Sequence, residues 1–345
     1  MDLIQSVIIS LILLVILYFF FKKNSLLIDN TSFSLHKKIG NQNKSPIVLG
    51  GLYILFITLF YFKNLNFYIY LIFIMIFMVG LVSDRNIISN SLIRLIFQIF
   101  IVFLLTYLGD LTINDIRIDL LDAFLKNKTI NIFFTVFCLV VLINGTNFID
   151  GLNGLVTGYY ILILLSLIFV INNNGQIFEK DFNIQFLNIL FFSLIFFFAF
   201  NIFGKVYMGD SGSYLIAIII GFYVIKFYQI NYLISPYYFA LLLWYPAFEN
   251  LFSLLRRLKT HSKISKPDNK HFHQLVFRYF KIKKYFTEKK INPFTSAIIL
   301  IFNIPSFFFG SLYSSETKIL LFALGLNITI YCLIYFKISY YFKNK

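Results

Sequence analysis

The sequence predicts an all-α polytopic membrane protein of about 10–11 transmembrane helices with its polar chemistry gathered at one membrane face. Two observations predict this fold class. Of 345 residues, 59% are hydrophobic and 13% charged, against about 25% charged in a soluble domain, so the chain cannot cover itself with polar surface. Apolar runs near the length a bilayer requires, about 20 residues, also recur from one end of the chain to the other.

The runs fall, in order, at 3–22, 46–62, 66–82, 92–109, 131–145, 155–172, 184–203, 212–227, 232–250, 295–312 and 317–337. The first resembles a signal peptide in composition. It is long enough to span, however, and no small-residue cleavage site follows it, so it counts as a helix. The segments 23–45, 84–91, 145–154, 204–211 and 251–294 are then cytoplasmic loops of a single integral-membrane domain over 1–345. Cys138 and Cys332 sit inside apolar runs with neither disulfide nor metal spacing, and read as small buried hydrophobes.

Basic residues set the orientation. With the N-terminus outside, only Lys63, Arg117, Lys126, Lys128, Lys180, Lys226 and Lys318 face outward, and every other Lys and Arg faces the cytoplasm. The expected topology is therefore N-terminus outside and C-terminus cytoplasmic. The net charge of +15 reads as positive-inside bias with affinity for anionic lipid, and no nucleic-acid partner is expected. On this topology Asp84, Asp150, Asp210 and Glu249 all fall on the cytoplasmic side at helix ends. Acids cost free energy at such places, so a functional site is the default reading.

Several segments carry chemistry. Gly80-Leu-Val-Ser83-Asp84-Arg85 closes the third run; an Asp–Arg pair at a helix end needs no ligand to explain it, but a carboxylate there can also bind a metal or take a proton. Asn144, Asn147, Asp150 and Asn153 recur every third residue, which lines them along one side of a tight helical turn or loop. A cap for the next helix would need only one of them. Tyr207-Met-Gly-Asp210-Ser-Gly-Ser213 opens the eighth run, where Asp210 or Ser211 could cap the helix. A helix N-terminus with glycines and hydroxyls is also an anion-binding geometry, and Asp210 there is a hard oxygen ligand suited to Mg²⁺ bridging phosphates. The basic stretch Arg256–Lys290 holds Asp268-x-x-His271-x-His273, which positive-inside bias does not explain; zinc would need further soft ligands, and no Cys is near. Carboxylates imply a divalent cation, basic and histidine-bearing loops imply phosphate, and the membrane implies a lipid substrate. Phosphoryl transfer, which is mainly positioning and charge neutralisation, uses this equipment.

Over residues 29–275 these motifs, in order, resemble the polyprenyl-phosphate N-acetylhexosamine-1-phosphate transferases (glycosyltransferase family 4). Ser83-Asp84-Arg85 with Arg94 and Gln98 is similar to an acidic pair followed by Arg and Gln. Asn144 to Gly151 is similar to Asn-x-x-Asn-x-x-Asp-Gly, and Tyr207 to Ser213 to Phe-Met-Gly-Asp-x-Gly-Ser. Arg256, Arg257 and Pro267 to His273 are similar to Arg-Arg followed by Pro-Asp-x-x-His-x-His, and Pro46 to Gly51 loosely to Pro-x-x-Gly-Gly. The resemblance implies attack of an undecaprenyl-type polyprenyl phosphate on the β-phosphate of a UDP-amino sugar, with Mg²⁺ or Mn²⁺, in a bacterial inner membrane. It implies Asp84, Asp150, Asp210, His271 and His273 as catalytic residues, with Asp210 and Asp84 toward the metal. Asn144, Asn147, Asn153, Asn201, Tyr207, Arg257 and Lys44 would bind substrate, Tyr207 by stacking on uracil. A homodimer is common among such proteins.

The chain departs from the pattern at Ser83, where the first acid is usual, at Asn153 and Glu249, where Asp is usual, and at Gln274, where a third His is usual. It looks closer to the branch that starts O-antigen or teichoic-acid glycans than to the phospho-N-acetylmuramoyl-pentapeptide branch. Two rivals are a lipid-phosphate transporter and a non-catalytic lipid-phosphate-binding relative. Transporters usually show paired repeats and polar groups at mid-membrane, and neither is seen here.

Overall fold

The computed structural model describes residues 2–28, 46–63, 65–173, 184–260, 268–284 and 287–344. Helix α1 (Leu3–Lys23) is followed by strand β1 (Ile47–Val48), α2 (Gly50–Tyr61), α3 (Phe67–Asp84), α4 (Ser91–Leu108), α5 (Asp119–Leu125), α6 (Lys128–Ile149), α7 (Leu155–Asn173) and α8 (Ile184–Ile202). Then come strand β2 (Val206–Tyr207), α9 (Gly209–Ile230), α10 (Pro236–Leu242), α11 (Trp244–Lys259), α12 (Phe272–Lys283), α13 (Glu288–Leu312) and α14 (Thr317–Lys343). Among the described residues nine helices are long and apolar enough to cross a membrane, or ten if α10 and α11 form one broken span. The protein is an all-α polytopic membrane protein, as its composition predicts. Each apolar run has a helix in it, although α2, with 12 residues, is short for a straight crossing.

Three boundaries differ from those read in the sequence. First, the run at 232–250 is not one helix: α10 and α11 meet at a 74° bend around Leu243. Pro246 explains the break, because it lacks an N–H and its ring would clash with the carbonyl of Leu242, four residues back. That carbonyl is rescued by α7, whose Tyr159 hydroxyl donates to it at 2.8 Å and accepts the Tyr245 amide at 3.3 Å. Second, α6 runs on to Ile149, so Asn144 and Asn147 lie on helix and only 150–154 is loop. Third, the basic stretch contains α12, an amphipathic helix whose polar residues hid it from a search for apolar runs.

Tyr159 is wholly buried. Tyr159→Phe leaves the Leu242 carbonyl orphaned and should cost about 1–3 kcal/mol. A lowered melting temperature in detergent would report it; an unchanged one would mean the bend is held by something else.

The spans run alternately up and down, which brings the C-terminal ends of α3, α6, α8 and α11 to the same end of the bundle as the N-terminus of α9. Hydrogen bonds Asp84–Asp210, Asn147–Asp210 and Gly154–Asn201 tie those ends together. At this end β1 and β2 pair in parallel, Ile47 with Val206 and Val48 with Tyr207. The N-terminus of α1 and the start of α6 lie at the opposite end.

Helix α9 is the centre, buried along most of its length against α2, α3 and α6. Between apolar helices in lipid, close packing replaces the hydrophobic drive, and small residues permit it. Gly51 and Gly80 both press on Ser211 in the first turn of α9, where an added Cβ would collide with it.

Candidate active site

The site is built around the first turn of α9. Gly209 has φ +73°, a conformation open to glycine, and a Cβ there would stand 2.8 and 3.0 Å from the Asp84 carboxylate oxygens. The N-cap residue, Met208, makes no capping bond with its side chain. Asp84, from the end of α3, caps the helix instead: its carboxylate accepts the Asp210 amide at 2.7 Å, the Ser211 amide at 3.0 Å and the Ser211 hydroxyl at 2.7 Å. An anion at a helix N-terminus satisfies amides that have no intrahelical partner and meets the positive end of the macrodipole. The sequence offered Asp210 or Ser211 as the cap, and the cap comes instead from another helix.

Asp210, 5% exposed, turns the other way. Its Oδ1 accepts Asn147 Nδ2 at 2.8 Å, and its Oδ2 accepts the Ser83 hydroxyl at 2.5 Å and Arg94 Nη1 at 3.0 Å. Arg94 also donates to the Ser83 oxygen. Asn147 reaches Ser213 as well, at 3.3 Å, and one turn back Asn144 donates to Gln98 at 2.8 Å. Arg94 and Gln98 lie one turn apart on α4 and face these groups on α6 and α9. The structure therefore brings Asp84, Asn144, Asn147 and Asp210 together and adds Ser83, Arg94, Gln98, Ser211 and Ser213.

A second cluster forms where α11, α12 and α14 meet. Glu249, 1% exposed, accepts His271 Nδ1 at 2.9 Å and the Phe272 amide at 3.1 Å on one oxygen, and the Tyr331 hydroxyl at 2.8 Å on the other. Asp268 accepts Arg256, Ser253 at 2.8 Å, Arg257 Nε at 3.4 Å and the Lys270 amide at 3.0 Å, and it lies 3.8 Å from His271 Nε2. Burial alone would raise the Asp268 carboxyl, but His271 and Arg256 beside it outweigh that and hold it well below the usual carboxylate range. Gln274, in the place of a third His, accepts the His271 amide at 3.3 Å and so helps start α12. Nothing in the sequence pointed to Tyr331, which arrives from a distant span.

His273 stacks on His271 with centroids 5.8 Å apart, is fully buried, and neither ring nitrogen has a hydrogen-bond partner. Burial, with His271 beside it, pushes its pKa down to about 3. It is therefore neutral at pH 7. Because the unfolded chain takes up a proton near pH 6.5 and the folded one only near pH 3, stability should fall as pH drops through that window. Melting curves at stepped pH should show this slope in the wild type and a reduced one in His273→Phe; equal slopes would remove His273 as its source.

The end of α6 joins the two clusters. Asn147 meets Asp210, the Phe148 ring lies 4.8 Å from the His271 ring, and a Cβ on Gly151 would stand 2.5 Å from His273 Nε2. Asp150 caps the end of α6 and Asn153 sits in the following loop, its amide held by Asn292 at 2.7 Å. Asn201 accepts the Gly154 amide at 2.8 Å and Thr157 at 3.2 Å and donates to the Val206 carbonyl at 2.7 Å. It laces this loop to the strand that leads into α9, so its bonding is to protein. Tyr207 is half-buried in β2, Arg257 belongs to the Asp268 cluster, and Lys44 lies outside the described residues.

The donor set near α9 fits Mg²⁺ in one mode. Among the described residues no group of three or more His, Cys, Asp or Glu could cage a metal. Mg²⁺, however, is commonly held by one or two carboxylates together with substrate phosphates. Asp210 suits that mode better than Asp84, whose oxygens already cap α9.

Comparison with known proteins agrees with the motifs. The sequence model of glycosyl transferase family 4 matches residues 66–228, the stretch from α3 into α9. The undecaprenyl-phosphate alpha-N-acetylglucosaminyl 1-phosphate transferase of Thermotoga maritima is 30% identical over 190 residues, covering 55% of this chain and 57% of that protein. The probable undecaprenyl-phosphate N-acetylglucosaminyl 1-phosphate transferase of Bacillus subtilis is 26% identical over 147 residues, covering 42% of this chain and 40% of its own. The match thus spans about half the length of these relatives. In its ordered motifs, its helical bundle and these matches, the chain is similar to glycosyl transferase family 4 over residues 66–228.

Proposed function

We propose that this protein transfers a phospho-N-acetylhexosamine from a UDP-sugar to polyprenyl phosphate at the cytoplasmic face of a bacterial inner membrane, starting a lipid-linked envelope glycan. The observation that carries the reading is Asp210, a buried carboxylate at a helix N-terminus, held between an arginine and an asparagine at one end of a membrane bundle. The names of the two relatives support a lipid-phosphate acceptor and an N-acetylglucosaminyl phosphate donor. The bias of basic residues supports the same end as cytoplasmic, with the N-terminus outside.

In the reaction an oxygen of the lipid phosphate attacks the β-phosphorus of the UDP-sugar. The bond from that phosphorus to the bridging oxygen breaks, and UMP leaves with the electron pair. The lipid phosphate has a second pKa of about 6, so it is largely ionised near neutrality and needs no strong base. That suits a site in which Asp84 is engaged in capping α9 and Ser83 stands in place of an acid. Asp210 would hold Mg²⁺, which when bound neutralises phosphate charge and orients the reacting groups. Asn147 and Ser213 hold Asp210 in place, Asn144 and Gln98 extend the polar wall, and neutral His273 offers hydrogen bonds from across α6.

Purified protein supplied with polyprenyl phosphate should release UMP from one or more of a panel of UDP-amino sugars, and only with Mg²⁺ or Mn²⁺. The panel identifies the sugar. Ser83 in place of an acid favours a second reading, a lipid-phosphate-binding relative without turnover. No UMP release across the panel, with polyprenyl phosphate still bound, would select it.

A further inference from the structure

We propose that Arg94 and a divalent cation compete for the Asp210 carboxylate, and that Arg94 goes to a substrate phosphate when the cation holds Asp210. This rests on the transfer reaction proposed above and adds a phosphate-binding residue to it. The geometry has three parts. Arg94 Nη1 is 3.0 Å from Asp210 Oδ2, with side-chain exposures of 25% and 8%, so the guanidinium lies at the edge of the site and the carboxylate inside it. A cation on the same carboxylate would be repelled strongly by the guanidinium at such range.

The bonding of Arg94 is also incomplete where it stands. A guanidinium has five donors in a planar fork that matches two phosphate oxygens. Here only Nη1 is engaged, with Asp210 and Ser83, while Nε is buried and has no partner. A turn of the side chain toward a phosphate would exchange one carboxylate contact for a two-point one. Finally, with serine at 83, Asp210 is the single acid pairing with Arg94 among the described residues. A second acid there would hold the arginine; a hydroxyl, which accepts from Arg94 while donating to Asp210, lets it go.

The ordinary alternative is a fixed ion pair that braces α4 against α9. The two readings predict different signs. Mn²⁺ binding is measured by electron paramagnetic resonance on the full chain in nanodiscs without substrate, for wild type, Arg94→Gln and Arg94→Lys. Calorimetry then measures binding of UDP-N-acetylglucosamine and, separately, of polyprenyl phosphate, each with Mn²⁺ present. Arg94→Gln should bind Mn²⁺ roughly tenfold or more tighter, because a competing charge is gone. It should also bind at least one phosphate ligand roughly tenfold or more weakly. Arg94→Lys keeps the charge, so its Mn²⁺ affinity should stay near wild type while the phosphate affinity falls with loss of the fork. The ligand that loses affinity identifies which phosphate Arg94 takes.

Equal or weaker Mn²⁺ binding in Arg94→Gln overturns the competition. Undiminished binding of both phosphate ligands overturns the phosphate role, and Arg94→Lys decides that point if Arg94→Gln does not fold. Wild-type protein that binds neither phosphate ligand would overturn the transfer reaction itself, whereas normal ligand binding with unchanged Mn²⁺ affinity overturns this inference alone.

Discussion

Asp210→Asn should reduce UMP release by about 10²–10³-fold or more while leaving the bundle folded. Asparagine keeps the shape of the side chain and can still meet Ser83 and Asn147; it loses the charge that pairs with Arg94 and would hold Mg²⁺. The contrast with Asp84 sharpens the test. Asp84→Ala removes a carboxylate that accepts three bonds from the first turn of α9, so its first effect should be on stability, about 1–2 kcal/mol for the cap. Melting temperature and initial rate, measured on both variants, should separate them: Asp210→Asn low in rate and near wild type in stability, Asp84→Ala low in stability. Full activity in Asp210→Asn would sink the assignment of Asp210 to the chemistry.

Glu249→Ala should be among the most destabilising single changes in the chain. It strips the shared acceptor from His271, the Phe272 amide and Tyr331 in a setting 1% exposed, and each buried donor left without a partner costs about 1–3 kcal/mol. Because Glu249 ties α11 to α12 and α14, the loss should be felt where α12 docks. Trypsin should then cut faster between Arg256 and Lys290 well below the melting temperature. Glu249→Asp keeps the charge with a shorter reach and should recover part of the stability. An alanine variant with wild-type melting and cleavage would mean α12 is held by its apolar face alone.

The spans were legible because a run of about 20 apolar residues has few other uses. What misled was local. The bend at Leu243 was written in Pro246, but hydropathy averages over a proline and returned one run at 232–250. Helix α12 was invisible to the same measure because only one of its faces is apolar, which also left the second cluster without its platform. The site was legible as a set of motifs, since acids, asparagines and glycines at the ends of apolar helices are costly unless used. The sequence placed Arg94 and Gln98 in a pattern without giving them a task.

By itself the sequence determined the class of protein, the sequence of spans and the pool of polar residues from which a site could be made. All of these follow from composition and one-dimensional spacing. Only the tertiary structure decided which of two aspartates does what. Asp84 and Asp210 have the same side chain and both stand at helix ends, but Asp84 points at the unpaired amides of α9 and Asp210 points at Arg94 and Asn147. That division depends on how α3, α4, α6 and α9 meet, and close helix contact is set by glycines and neighbouring side chains far apart in the chain.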